Sequence, residues 1–121
     1  MQRAVNLNCM TDRDLEWIKA HAAQDVSIEV SKQNPTKNRY RNIHANDCSL
    51  VPTEVYVNAN NVCCGRFISC QAPLTSTFAD FFDMAYNLRS RVIVMLTNLR
   101  EKNTVKADQY WNDRKPLQFG P

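Results

Sequence analysis

The sequence predicts an α/β or α+β domain, and three observations point there. EVYVNAN at 54–60 and GRFISCQ at 65–71 read as two strands joined by a turn. Phe78, Phe81, Phe82, Ala85 and Leu88 recur at helical spacing and form one apolar face. SRVIVMLTNL at 90–99 carries the uninterrupted run VIVML, the pattern of a central strand covered on both faces. Strand, helix and covered strand in that order define the class.

Taken in order, residues 11–31 read as a helix. Thr11 is its cap, Asp14 completes a weak capping box, and Leu15, Ile18, Ala22 and Val26 follow at helical spacing. After Gln24 the pattern loosens, because Val26, Ile28 and Val30 alternate instead. QNPTKN at 33–38 is a breaker, and 37–51 is polar and irregular. The predicted hairpin follows. QAPLTST leads into the next helix, with Thr75 or Ser76 as its N-cap. After the 90–99 strand, EKNTVKADQYW reads as a charged loop and a further strand.

At 121 residues the chain is one small domain, and 44% apolar residues are enough for a core. A net charge of +3 is too small to argue for nucleic acid as a partner. No apolar run spans a membrane, and the first residues lack the long apolar stretch of a secretory signal. The five cysteines, with no export signal, fit reduced thiols and a cytoplasmic setting. Cys63 and Cys64 are adjacent, a poor spacing for zinc, and neither His21 nor His44 sits in a metal-binding frame. No metal or cofactor is expected.

Several stretches share their order and spacing with one family. KNRYRNIHANDCSLV resembles the KNRY-x-x-I…D loop of protein-tyrosine phosphatases. VYVNAN resembles their D-Y-I-N-A-S strand, and FISCQAPL their Y-I-A-x-Q-G-P-L segment. TFADFFDMAYNLRSRVIVMLTNLREK resembles the family's helix, its S-x-x-I-V-M-L-T strand and the E-K loop behind it. VKADQYW resembles K-C-x-Q-Y-W. The match runs from about Asn34 to Trp111 and is closest in kind to the non-receptor class. The resemblance divides the chain into an N-terminal helical region, 1–33, and a partial phosphatase-like domain, 34–121. It implies the N-terminal part of that fold, a mixed sheet flanked by helices, ending before the phosphate-binding loop. A narrower resemblance is to the phosphatase-like proteins of bracoviruses.

The resemblance also implies roles. Tyr40 would pack against the ring of phosphotyrosine. Asn42 would orient the peptide backbone, and Arg41 would be a rim charge toward acidic substrates. Arg39 is expected to be structural. Glu101, Lys102 and Lys106 would form a supporting loop, with Glu101 facing the arginine of the phosphate loop and Lys106 near the general acid. Read without the family, Tyr40 is a packing residue, Arg39 and Arg41 a solvated face, and Glu101 and Lys102 loop charges of little energetic weight. Phe81 and Phe82 are core on either reading. Ala72 stands where the family has glycine, so a positive φ there would be strained. Ala107 replaces a cysteine.

Chemistry in this family needs a cysteine thiolate, an arginine six residues later and an aspartic acid. Six residues after the five cysteines stand Leu15, Glu54, Ser69, Cys70 and Ser76, so H-C-x5-R is absent. Only Gly65 and Gly120 are available for a phosphate loop. Trp111-Asn112-Asp113 belongs to the Q-Y-W end and not to a W-P-D acid loop. No catalytic residue is therefore assigned.

Three readings stay open. The chain is a truncated, inactive phosphatase-like protein, a binding or decoy module toward host phosphotyrosine proteins in the host cytoplasm. Or it is the N-terminal portion of an active phosphatase working through a cysteinyl-phosphate intermediate. Or it is a structural remnant. An H-C-x5-R encoded after Pro121 would select the second. On any of them, the VIVML edge is expected to invite self-association.

Overall fold

The computed structural model describes Arg13, Glu16 and residues 26–112. Arg13 and Glu16 are helical and exposed, whereas the rest of the predicted helix as far as residue 25 lies outside the described residues. The helix does not run unbroken to Ser31 as expected. Residues 26–28 are irregular, and a separate short helix, α1, spans Glu29–Gln33. Its N-terminus is capped from a distance. Asp47 accepts from the backbone N–H of Glu29 at 2.8 Å and of Val30 at 3.2 Å, and from the Ser27 hydroxyl. A local alternation of apolar residues has thus been used to turn the chain, and a carboxylate 18 positions from Glu29 satisfies the exposed donors.

The breaker at 33–38 becomes a 3-10 turn at Pro35–Lys37, with proline in its first turn, where the missing N–H costs nothing. A second 3-10 turn, Asp47–Ser49, is capped by the Asn46 side chain accepting from Cys48 N–H at 3.0 Å. The predicted hairpin forms with a shifted first strand. β1 (Ala59–Val62) pairs antiparallel with β2 (Phe67–Cys70), in the register Ala59 to Cys70 and Val62 to Phe67. Tyr56, Val57 and Asn58, read as strand, lie before the ladder and are buried.

A 3-10 turn at Thr75–Thr77 leads into α2 (Phe78–Asn87). Neither Thr75 nor Ser76 is the cap residue of α2. That position is Thr77, whose buried hydroxyl turns back to accept from Leu74 N–H at 3.0 Å. The other end closes as a Schellman motif: Ser90 N–H bonds Ala85 carbonyl and Arg89 N–H bonds Tyr86 carbonyl, each at 2.9 Å. Arg89 occupies the left-handed position at φ 53°, where glycine is the usual residue.

The core gathers Val51, Val57, Ala59, Phe81, Met84 and Tyr110, with Ile68, Phe78, Phe82 and Met95 packed against it. Phe81 and Phe82 are core, as expected. Met84 belongs on the α2 face, and Leu88, expected there, is exposed. Tyr110 is the aromatic hub, 5.2 Å from the Phe81 ring, 6.1 Å from Phe82 and 6.3 Å from Phe78. The Q-Y-W segment thereby joins α2, though it forms no strand. The strands after α2 are β3 (Arg100–Glu101) and β4 (Thr104–Val105), a two-residue ribbon. The sheets thus remain two separate antiparallel pairs.

The strand predicted at 90–99 is not in a ladder. No described strand lies beside it to take its backbone hydrogen bonds, and Val92, Val94 and Leu96 are 75%, 71% and 94% exposed. Met95 alone of that run is packed on the core. The apolar run is covered on one side only. In the 121-residue chain, the amides of Val92 to Leu96 should exchange with solvent orders of magnitude faster than those paired within β1–β2. Strong protection of that run, measured by hydrogen exchange with mass spectrometry, would show that it has found a backbone partner.

The Asp47 carboxyl is held below its ordinary value of 3.8, chiefly by the Ser27 hydroxyl, with desolvation opposing and the Glu29 and Val30 N–H groups adding smaller lowering effects. A depressed folded-state value means that the unfolded chain binds the proton first as pH falls. The contribution of this cap is therefore complete above pH 3.8 and disappears as pH drops through the lower folded value. Asp47→Asn should flatten the acid limb of a stability-versus-pH curve; an unchanged limb would remove Asp47 as its source.

Candidate functional site

KNRYRN at 37–42 is held by its first three residues and displays its last three. The Lys37 ammonium pairs with Asp80 on α2 at 2.8 Å. The Asn38 side chain is the centre of a polar cluster. Its Oδ1 accepts from Tyr56 hydroxyl at 2.8 Å and Asn58 Nδ2 at 2.9 Å, and its Nδ2 donates to the Ser31 carbonyl at 2.9 Å. Asn58 also donates to the Ile43 carbonyl at 3.0 Å, so one buried amide ties the start of the loop to its far side. Burial raises the Tyr56 phenol, which stays a neutral donor in this cluster.

Arg39 is structural, as expected. Its side chain is 9% exposed. Nε donates to the Ala72 carbonyl at 2.9 Å, and one terminal nitrogen donates to the Pro73 carbonyl and the Asp108 carboxylate, both at 2.7 Å. Gln71 adds a second clamp, accepting from Arg39 N–H at 2.9 Å and donating to the Lys37 carbonyl at 2.7 Å. The planar guanidinium suits this because it offers several donors at once in a fixed fork. Ala72 is not among the positive-φ residues, so the strain expected there does not arise.

Beyond these anchors Tyr40, Arg41 and Asn42 face outward. Tyr40 is 40% exposed, and Arg41 and Asn42 are exposed. They make a short rim with an aromatic face and a cation. The second predicted set lies on the β3–β4 ribbon. Glu101 and Lys106 approach to 3.9 Å, a half-exposed pair of small energetic weight. Lys102 occupies the tight turn at φ 53° and is exposed. No hydrogen bond or ion pair joins the two sets among the described residues. They are linked instead through Arg39 and Asp108, two positions after Lys106. The small cavity under the hairpin, lined by Tyr56, Asn58, Cys70, Gln71 and Phe81 among others, does not include Tyr40.

Asn38, Gln71 and Asp108 are the positioning residues that sequence reasoning left out. Each lies inside a quoted stretch, beside a residue that was singled out. Asn38 meets Tyr56 and Asn58 at 18 and 20 positions, and the contacts of Gln71 and Asp108 with Arg39 span 32 and 69, distances no local pattern encodes. Among the described residues no helix is long and apolar enough to cross a membrane, and no group of three or more His, Cys, Asp or Glu converges on a metal position.

An α/β arrangement that seats a tyrosine-bearing loop on an arginine-clamped base is that of the N-terminal part of a phosphatase domain. The protein-tyrosine phosphatase family matches residues 34–121, and the chain belongs to that family. It is 42% identical to receptor-type tyrosine-protein phosphatase S of Gallus gallus over 106 residues, 78% of this chain and 7% of that protein. It is 42% identical to a Lar-like tyrosine-protein phosphatase of Caenorhabditis elegans over 99 residues, 72% of this chain and 4% of that one. Among solved structures, the Trypanosoma cruzi protein tyrosine phosphatase TcPTP1 superposes with a TM-score of 0.76 at 32% identity, covering 86% of this chain and 38% of that one. TbPTP1 of Trypanosoma brucei gives 0.76 at 29% identity and the same 38% share. The chain thus spans well under half of the phosphatases it matches.

The curated relatives include receptor-type phosphatases such as that of Gallus gallus, so the non-receptor class expected from the sequence is not met. The shared motifs lie within the phosphatase domain and carry no signal of what is attached to it. Nor do the relatives support a bracovirus origin.

Arg39→Ala should destabilise the fold by about 2 kcal/mol, because it strips two carbonyls and a half-exposed, partly solvent-screened carboxylate of their partner. Tyr40→Ala should cost less than about 1 kcal/mol, as a surface change does. Urea denaturation of both variants checks the contrast, and equal losses would mean that Tyr40 is a packing residue after all.

Proposed function

We propose that this chain is a recognition portion of a phosphatase domain that does not itself hydrolyse phosphate esters. Tyr40, Arg41 and Asn42 provide one wall of a phosphotyrosine site, and Glu101, Lys102 and Lys106 a supporting loop. The observation that carries this reading is the division of labour in KNRYRN, where Asn38 and Arg39 are half-buried, hydrogen-bonded anchors and the next three residues are displayed. The resemblance to phosphatases supplies the ligand class.

Catalysis is denied to these 121 residues because no cysteine among them is followed six positions later by arginine. A thiolate nucleophile needs a cradle of N–H groups and a bidentate arginine to hold the transferring phosphoryl group. Such preorganised donors supply much of the rate enhancement in this kind of chemistry. An active enzyme would require those groups from further residues of a longer chain, and an H-C-x5-R encoded after Pro121 is the observation that would favour that alternative.

Purified chain should hydrolyse an aryl phosphate no faster than buffer. Vanadate-sensitive turnover that is lost on changing one cysteine to serine would sink this part of the proposal. Phosphotyrosine proteins are the partner class, bound weakly. A phosphotyrosine peptide should bind with a Kd of about 1 mM or weaker, since the phosphate loses water without gaining an arginine fork. Calorimetric titration decides: micromolar affinity that disappears with Tyr40→Ala would reveal a complete pocket.

A further inference from the structure

The β1–β2 hairpin ends in two thiols that the recognition surface does not use. Cys63 and Cys64 follow Val62 directly, and the turn closes with Arg66 N–H bonding the Cys63 carbonyl at 3.2 Å. Both cysteines are exposed. Both have positive φ, 51° and 55°, ahead of Gly65 at 80°. This left-handed conformation costs a residue with a Cβ about 1 kcal/mol, and glycine, asparagine or aspartate usually fill such turns. Two consecutive cysteines therefore stand where local conformation favours other residues, and an outlier of that kind asks for a chemical reason.

The conformation has a geometric consequence. Consecutive side chains of a strand point to opposite faces, whereas consecutive residues of a helix are about 100° apart around its axis. Two successive left-handed residues follow the mirror image of the helical case. The turn therefore does not send the two exposed side chains to opposite faces, as a strand would.

The donor set then selects the ligand. No described group of three or more His, Cys, Asp or Glu converges here or elsewhere. Structural zinc takes four such donors, and calcium and magnesium take oxygens. Two sulfurs suit a soft centre content with two protein ligands. A disulfide between the pair is poorly matched, because consecutive Cα atoms lie about 3.8 Å apart and disulfides span about 4.4–6.8 Å. We propose that Cys63 and Cys64 form a dithiol site for a trivalent organoarsenical, a soft centre that brings its third ligand, a carbon, with it. In the reaction both S–H bonds and the arsenic–oxygen bonds of R–As=O break, and two S–As bonds form. The two protons leave with the oxygen as one water, and no oxidation state changes.

The other described cysteines lack this arrangement. Cys48 is exposed but has no adjacent thiol. Cys70 is half-buried, and burial pushes its thiol up to about 11. At the hairpin tip the second S–As bond closes within one turn, which raises affinity over a single thiol without any further contact.

The test uses the 121-residue chain, phenylarsine oxide and excess glutathione as a competing monothiol, with intact-mass detection. Wild type, Cys9→Ser, Cys48→Ser and Cys70→Ser should each retain one phenylarsenic group, and a small dithiol should strip it. Cys63→Ser and Cys64→Ser should each lower retention by about a hundredfold, the scale of a lost second attachment. Both positions are exposed, and unchanged amide protection in β1–β2 will show that the hairpin is intact in these variants. Retention at the wild-type level in either tip variant overturns the proposal, as does loss of the group in Cys9→Ser or Cys48→Ser.

Discussion

The Arg39 guanidinium lies between three stretches of chain that share no strand ladder. It binds the carbonyls of Ala72 and Pro73 behind β2 and the carboxylate of Asp108 ahead of the aromatic hub. Removing such a cation from water is costly, and the charge is tolerated because carbonyl and carboxylate acceptors replace that water at close range. The result is positional. The loop at 37–42, the turn before α2 and the segment that carries Tyr110 meet at this one side chain, and the Gln71 clamp and the Lys37–Asp80 pair reinforce the loop's hold. Asn38, its neighbour, does the same on the other side of the loop, where Ser31, Tyr56 and Asn58 converge.

These two anchors explain why three polar or aromatic residues can be displayed at little cost. A loop with exposed Tyr40, Arg41 and Asn42 would lose considerable entropy if it had to be ordered by those residues themselves. Here the ordering is done by residues facing inward, so the outward ones are displayed without having to order the loop themselves. The same division appears on the β3–β4 ribbon more weakly. Its Glu101–Lys106 pair is open to solvent, and Lys106 N–H and Ala107 N–H hold it to the Leu99 carbonyl.

The segment after α2 shows the opposite situation. Met95 gives it a foothold on the core, and its backbone has no ladder. A covered strand needs a neighbour on each edge and a layer on each face. The described residues supply one layer at one position. Energetically this leaves apolar surface in water that burial would stabilise at about 25 cal/mol per Å². The Schellman close of α2 with Arg89, at φ 53°, aims the chain into this exposed stretch in a conformation that glycine would reach more easily.

Several features were legible in the residues alone. The hairpin, the aromatic face of α2, the core role of Phe81 and Phe82 and the family resemblance follow from short patterns and their spacing, whereas the structural role of Arg39 came only through that resemblance, since the residues alone read it as a solvated face. What the tertiary structure decided was non-local. Asp47 caps α1 from across the chain, Thr77 rather than Thr75 or Ser76 stands at the start of α2, and Ala72 escapes a positive φ. Asn38, Gln71 and Asp108 became positioning residues through partners far away in sequence. The apolar run at 92–96 is the sharpest case. Periodicity and composition specify which side chains prefer to leave water, and that preference is a property of the residues themselves. Membership of a sheet depends on a second backbone at hydrogen-bonding distance, and no stretch of sequence can state by itself whether that neighbour is present.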